Sequence, residues 1–245
     1  LRTRATPATD AEGNPGWLLA GQKVWTSYAT FARWGICLAR TDPDAPRHRG
    51  ISYLVVDMTA PGVDIRPLRQ ITGESEFNEV FLDDVWVPAD GLVGDLDAGW
   101  SVANTTLAHE RGTNFPFKEQ VVHEVFLQRL LESAAANGSL DDPDVADRLV
   151  DATVELSLLR LHNWRTLTAL SNGHEPGPES SWIKLTWTDM TQNLSSAALE
   201  VLGDDAALWG EWQRQWLWSR AAPIAGGTSE IQRTIIGDRI LGLPR

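Results

Sequence analysis

Apolar and polar positions change rhythm once along the chain, close to Pro88. Before it, short β-rich runs cover Trp17 to Thr26, Trp34 to Thr41, Ile51 to Met58, Val63 to Leu68 and Phe77 to Val87. Turn residues separate them, among them Asp42-Pro43-Asp44-Ala45-Pro46, Ala60-Pro61-Gly62 and Thr72-Gly73-Glu74. Several short strands at this spacing predict a small sandwich or barrel. Beyond Pro88 the apolar residues return every three or four positions, as in Ile183, Trp187, Met190, Leu194, Ala197 and Val201, and again in Leu149, Ala152, Leu156 and Leu159. That period lines one face of a helix and marks the seam of a bundle. Asp142-Pro143 has the form of an N-cap followed by proline at the first helical position, and the stretch from Asn172 to Pro178 breaks the next pair of helices. The expected fold class is α+β: a small β-sandwich or barrel domain over residues 1–93, then a four-helix-bundle-like α domain over 94–245.

The composition narrows the chemistry. With 245 residues and 42% hydrophobic content the chain can fill a real core. It contains no apolar run of about 18 residues, and the start at Leu1-Arg2-Thr3-Arg4-Ala5 lacks a signal-peptide core, so it reads as soluble and cytoplasmic. Leu1 without a preceding methionine reads as the middle of a longer polypeptide. A lone cysteine, Cys37, excludes an internal disulfide and a cysteine-based zinc cluster, and its apolar surroundings fit core packing. The net charge of -12 disfavours nucleic acid and anionic membranes as partners, since both are held by clustered Lys and Arg. His48, His123, His162 and His174 show no metal-ligand spacing, several fall in expected loops or solvated faces, and no metal site is expected. Trp209, Trp212, Trp216 and Trp218 crowd one expected helix and read as core or subunit interface.

Three ordered stretches carry the reaction: Gly21-Gln22-Lys23-Val24-Trp25-Thr26-Ser27, Phe77-Asn78-Glu79-Val80-Phe81-Leu82-Asp83-Asp84-Val85-Trp86-Val87-Pro88, and Gly226-Gly227-Thr228-Ser229-Glu230-Ile231-Gln232-Arg233. Together they resemble the acyl-CoA dehydrogenases over almost the whole chain. The resemblance implies the family's middle β-domain and C-terminal helical domain, with the N-terminal helical domain absent. It also implies FAD as cofactor and an acyl-CoA substrate. Trp25, Thr26 and Ser27 would lie against the flavin, the indole packing on its ring and the Ser27 hydroxyl near its N5 edge. Thr228 and Glu230 would border the same cofactor. Gly226, Gly227 and Arg111 would meet the substrate. Without the resemblance, Trp25 and Ser27 are strand residues on one face, and Glu110 beside Arg111 is an ordinary surface pair.

Dehydrogenation needs a carboxylate to take the α-proton while the β-hydrogen leaves as hydride. Medium-chain members carry it where this chain has Gly226. Other members carry it just before an arginine on the first helix after the β-domain, where Glu110-Arg111 matches, so the resemblance makes Glu110 the base. His109, about 100° away around such a helix, takes no part. The family's Arg-x-x-Phe and Gln-x-x-Gly-Gly segments, which hold the adenine end of a neighbouring subunit's FAD, have no clean counterpart. Glu200 and Asp204 stand where an amide and a glycine would serve, and carboxylates repel a pyrophosphate. The main reading is an enzyme passing electrons to an electron-transferring flavoprotein, in a homo- or hetero-oligomer. The alternatives are a half-site or non-catalytic subunit of a heteromer, or a related acyl-CoA oxidase or flavin monooxygenase.

Overall fold

A computed structural model describes residues 1–109, 115–174 and 177–244. They form two compact units, Leu1–Leu107 and Ala108–Arg245. The first is built on one seven-stranded sheet: β1 (Arg4–Thr9), β2 (Pro15–Ser27), β3 (Trp34–Arg40), β4 (Ile51–Asp57), β5 (Val63–Pro67), β6 (Phe77–Pro88) and β7 (Leu92–Val93), in the order β5-β6-β2-β1-β3-β4-β7. The five runs expected from the sequence are β2 to β6. β1 adds a strand with no large apolar residue. It pairs antiparallel with β2 from Arg4↔Ala20 to Thr9↔Pro15, through a turn in which the Asp10 carboxylate accepts from the N–H groups of Glu12 and Asn14. Its residues leave little hydrophobic signal.

Leu19 of β2, Cys37 and Ala39 of β3, Leu54 and Val56 of β4, and Val80, Leu82, Val85 and Val87 of β6 share one hydrophobic cluster. Because β4 and β6 stand apart in the sheet order, a common core requires the sheet to curl onto itself, as a small barrel does. Cys37 is buried there, and burial pushes its thiol up from the usual range. Helix α1 (Gly99–His109) starts against β4. A Cβ on Gly99 would lie 2.3 Å from the Tyr53 nitrogen, so only glycine allows this approach.

In the second unit α2 (Phe115–Asn137), α3 (Pro143–Ser171), α4 (Ser180–Leu202) and α5 (Glu211–Ser219) surround the other core. Both predicted stripes are buried in it: Leu149, Ala152, Leu156 and Leu159 from α3, and Ile183, Trp187, Met190, Leu194, Ala197 and Val201 from α4. Each fully buried large side chain contributes about 1.5–3 kcal/mol. The Asp142 side chain accepts from the Asp144 N–H at 2.9 Å, with Pro143 in the first turn, so the predicted cap forms. α4 also buries a polar seam, Ser181, Lys184, Thr188, Thr191 and Ser195, at the same three-four spacing. Parts of that seam meet the later chain, Thr188 reaching the Ala222 carbonyl and Ser195 donating to the Ser219 hydroxyl, while Thr191 meets His123 of α2. Helix α6 (Ser229–Ile235) follows and runs on as a π turn over Ile236–Ile240. No helix among the described residues is long and apolar enough to cross a membrane.

Candidate functional site

The predicted residues fall into two local groups, one in each unit, while Glu110 and Arg111 lie outside the described residues. In the first unit the β2–β6 register slips between Lys23↔Val80 and Thr26↔Asn78, leaving one extra residue on β2. This bulge contains Val24 and Trp25. Bulges re-aim side chains, and here Trp25 takes φ 61° and leaves 65% of its surface exposed. Its indole makes an edge-to-face contact with Phe77, with centroids 5.9 Å apart and planes at 80°. Ser27, two residues on and opposite Phe77, is exposed as well.

Two residues not singled out from the sequence hold the bulge. The buried Asn78 amide donates to the carbonyls of Thr26 and Glu76 at 3.0 and 3.3 Å, pinning the strand where it leaves the bulge. Its signal was available: residue 78 shares the inward parity of Val80 and Leu82, and a polar side chain there calls for a partner. On the other side Lys23 donates to the Leu38 carbonyl at 2.6 Å, and burial pushes the Lys23 ammonium below its usual range.

In the second unit Gly226 and Gly227 take φ 65° and 99°, in the left-handed region that favours glycine. Thr228 is the N-cap of α6. Its hydroxyl oxygen accepts from the Ile231 N–H at 3.3 Å, and Glu230 is held below the usual carboxylate range by its own backbone N–H and by the Thr228 hydroxyl. Thr228 and Glu230 thus engage each other at the helix start, the geometry of a helix N-terminal cap. The buried Gln232 side chain reaches back and donates to the Gly226 and Gly227 carbonyls at 3.1 and 3.3 Å. The loop is therefore tied to the helix it precedes.

The remaining candidates divide. Glu200 pairs with Arg148 of α3 at 3.5 Å, so a partner distant in sequence offsets its charge, and Asp204 is exposed in the following 3-10 turn. The four tryptophans do not share one helix. Trp212 and Trp218 pack on the bundle core, Trp216 lies against Arg220, and Trp209 is exposed before α5 begins. Of the histidines, His123 is buried in the bundle, its Nε2 facing the Thr191 hydroxyl at 3.1 Å, and burial pushes its pKa down. A cavity of about 670 Å³, lined by His162, Arg165, Trp182 and Ile240 among others, opens where α3 ends and α4 starts. None of the predicted site residues that lie among the described residues borders it.

Residues 2–85 match the acyl-CoA dehydrogenase middle domain, and residues 97–241 match the acyl-CoA dehydrogenase C-terminal domain. Among curated proteins, the acyl-CoA dehydrogenase IpdE1 of Mycolicibacterium smegmatis is 42% identical over 243 residues, covering 97% of this chain and 60% of that protein. The acyl-CoA dehydrogenase FadE34 of Mycobacterium tuberculosis is 43% identical over 262 residues, covering 100% of this chain and 34% of that one. Among solved structures, the Tcur3481-Tcur3483 steroid ACAD superposes with a TM-score of 0.88 at 26% identity, over 100% of this chain and 64% of that chain. The ChsE4-ChsE5 complex from Mycobacterium tuberculosis gives 0.82 at 32% identity, over 100% and 65%. The chain thus spans at most about two thirds of the proteins it matches.

Proposed function

The chain belongs to the acyl-CoA dehydrogenase family, and on that premise we propose that its protein removes the α-proton and β-hydride of an acyl-CoA thioester, with FAD as acceptor. The observation that carries this reading is Trp25. A left-handed backbone costs a non-glycine residue about 1–2 kcal/mol. An indole left mostly in solvent returns little of that through burial, whereas a flat ring stacked on it would. Ser27 places an exposed hydroxyl two residues away, suited to the polar edge of the same ring. The residues present therefore fit a flavin. When bound, FAD supplies the two-electron acceptor for the β-hydride.

This chain's own residues divide the rest. Glu110 takes the α-proton on its carboxylate, as the family resemblance implies, and the Cα–Cβ double bond forms as the hydride departs. The Gly226 N–H polarises the thioester carbonyl, whose oxygen gains charge as the proton leaves. Gly227 and Arg111 line the substrate, and Thr26, Thr228 and Glu230 border the cofactor. An electron-transferring flavoprotein reoxidises the enzyme. Steroid-derived acyl-CoA thioesters are the first to assay, because a steroid ACAD superposes over the whole chain.

A second reading has its own support. Glu200 and Asp204 occupy the positions where the family uses an amide and a glycine, and the ChsE4-ChsE5 match is a two-protein complex. A subunit that completes a partner's site would show this pattern. Glu110→Gln in the full-length protein tests the main reading, because an amide cannot accept the proton. Flavin content is expected to stay unchanged while turnover falls at least about 10²-fold. α-Proton exchange at the parent rate would sink the assignment of the base.

A further inference from the structure

We infer that the outward face of α3 is a self-association surface, on which a second copy of this chain lays its own α3 antiparallel across a twofold axis near residue 156. The inference does not depend on which reaction the protein performs.

Val150, Val154, Leu158 and Leu161 of α3 are 60, 52, 47 and 55% exposed, while Leu149, Ala152, Leu156 and Leu159 of the same helix are buried in the bundle core. A helix turns about 100° per residue, which puts the two sets on opposite faces. Single exposed apolar residues are ordinary on a surface. These four, however, follow one another at steps of four, four and three. Such steps stay close to the helix's own period, so the stripe runs straight along one face instead of winding around it. A helix with an apolar stripe on both sides has more to bury than its own bundle covers.

Charge chooses the occupant. Asp147 and Arg165 lie about five turns apart, so both stand on the outward face, one beyond each end of the stripe. Both are exposed, and neither forms an ion pair among the described residues. Arg148, a base in the acidic half of the helix, turns instead to Glu200 of α4. The helix dipole favours acid in the first turn and base in the last, but α3 runs from Pro143 to Ser171, and Asp147 and Arg165 lie outside those turns. A closed dimer is isologous: where residue i meets j, j also meets i. Two α3 helices running antiparallel about residue 156 set Val154 against the second copy's Leu158, and Asp147 against the second copy's Arg165, each pairing twice. A parallel pair would set Asp147 against Asp147 and Arg165 against Arg165, like charges that repel. The face is therefore complementary to itself in one direction only.

The test uses the full-length protein with Asp147→Cys, Arg165→Cys and both together, under mild oxidation. Cys37 is buried, and the parent under the same oxidant serves as the blank. The double variant is expected to form a disulfide-linked dimer at a yield at least about tenfold above either single variant, because the twofold brings unlike positions within disulfide range and keeps like positions about 27 Å apart. A dimer linked through Asp147→Cys alone, or no link in the double variant, would overturn the inference. Charge reversal gives a second reading by sedimentation equilibrium. Asp147→Arg and Arg165→Asp should each raise the dissociation constant of self-association about tenfold or more, and the two together should return it to within about threefold of the parent's. Singles that associate like the parent, or a double that stays as weak as the singles, would also overturn it. A cross-link that forms only with a co-expressed homologue would assign the face to a different partner and refute self-association.

Discussion

Trp25 combines a backbone that disfavours a large side chain with an exposed indole, and folding alone rewards neither. Trp25→Gly relieves about 1–2 kcal/mol of backbone cost and gives up an edge contact with Phe77 of about 0.5–1.5 kcal/mol. The melting temperature of the flavin-free protein should therefore move by no more than about 6 °C. Flavin content after purification should fall clearly, as read by absorbance; full occupancy in the variant would remove Trp25 from the site. At this scale the sequence was half legible. Trp25 and Ser27 stood out because the motif around them resembles a known one. Asn78, Lys23 and Gln232 did not, since each acts through a bond to a carbonyl elsewhere in the chain.

Helices α3 and α4 were readable because their signals are local. A stripe repeating every three or four residues needs only the helix's own period, and a cap needs only its own turn. Asp142→Ala removes the bond to the Asp144 N–H and should cost about 1 kcal/mol, lowering the melting temperature by about 2–4 °C in thermal unfolding. An unchanged melting temperature would mean that the cap contributes nothing in this context. β1 shows the converse. Its residues are small or polar, and they become a strand because β2 offers a full antiparallel register. The second, polar seam of α4 was equally hidden, because serines and threonines at helical spacing read as a solvated face until α2 and the residues after α5 pack on them.

For the whole molecule the open question is how flavin is held. The chain keeps Trp25, Ser27 and Thr228, the residues proposed for the ring side, but lacks the adenine-side pattern that the resemblance implies, and the Arg148 partner of Glu200 softens the expected repulsion without supplying a donor for an adenine. Purified alone, the full-length protein should therefore carry less than one FAD per chain, and added FAD should raise its melting temperature little. Co-expression with a homologue bearing Arg-x-x-Phe and Gln-x-x-Gly-Gly should raise both. Stoichiometric FAD in the homo-oligomer would refute the need for a partner and leave the chemistry untouched. By itself the sequence determined the division into a β-rich and a helical part, the buried stripes and the family, because hydrophobic periodicity and ordered motifs are properties of neighbouring residues. Only the tertiary structure decided the β1 pairing, the bulge that turns Trp25 outward, the Arg148–Glu200 pair and the hold of Gln232 on the glycine loop. Each of these is a bond or contact whose two ends meet only when the chain folds, so neither end announces the other in the sequence.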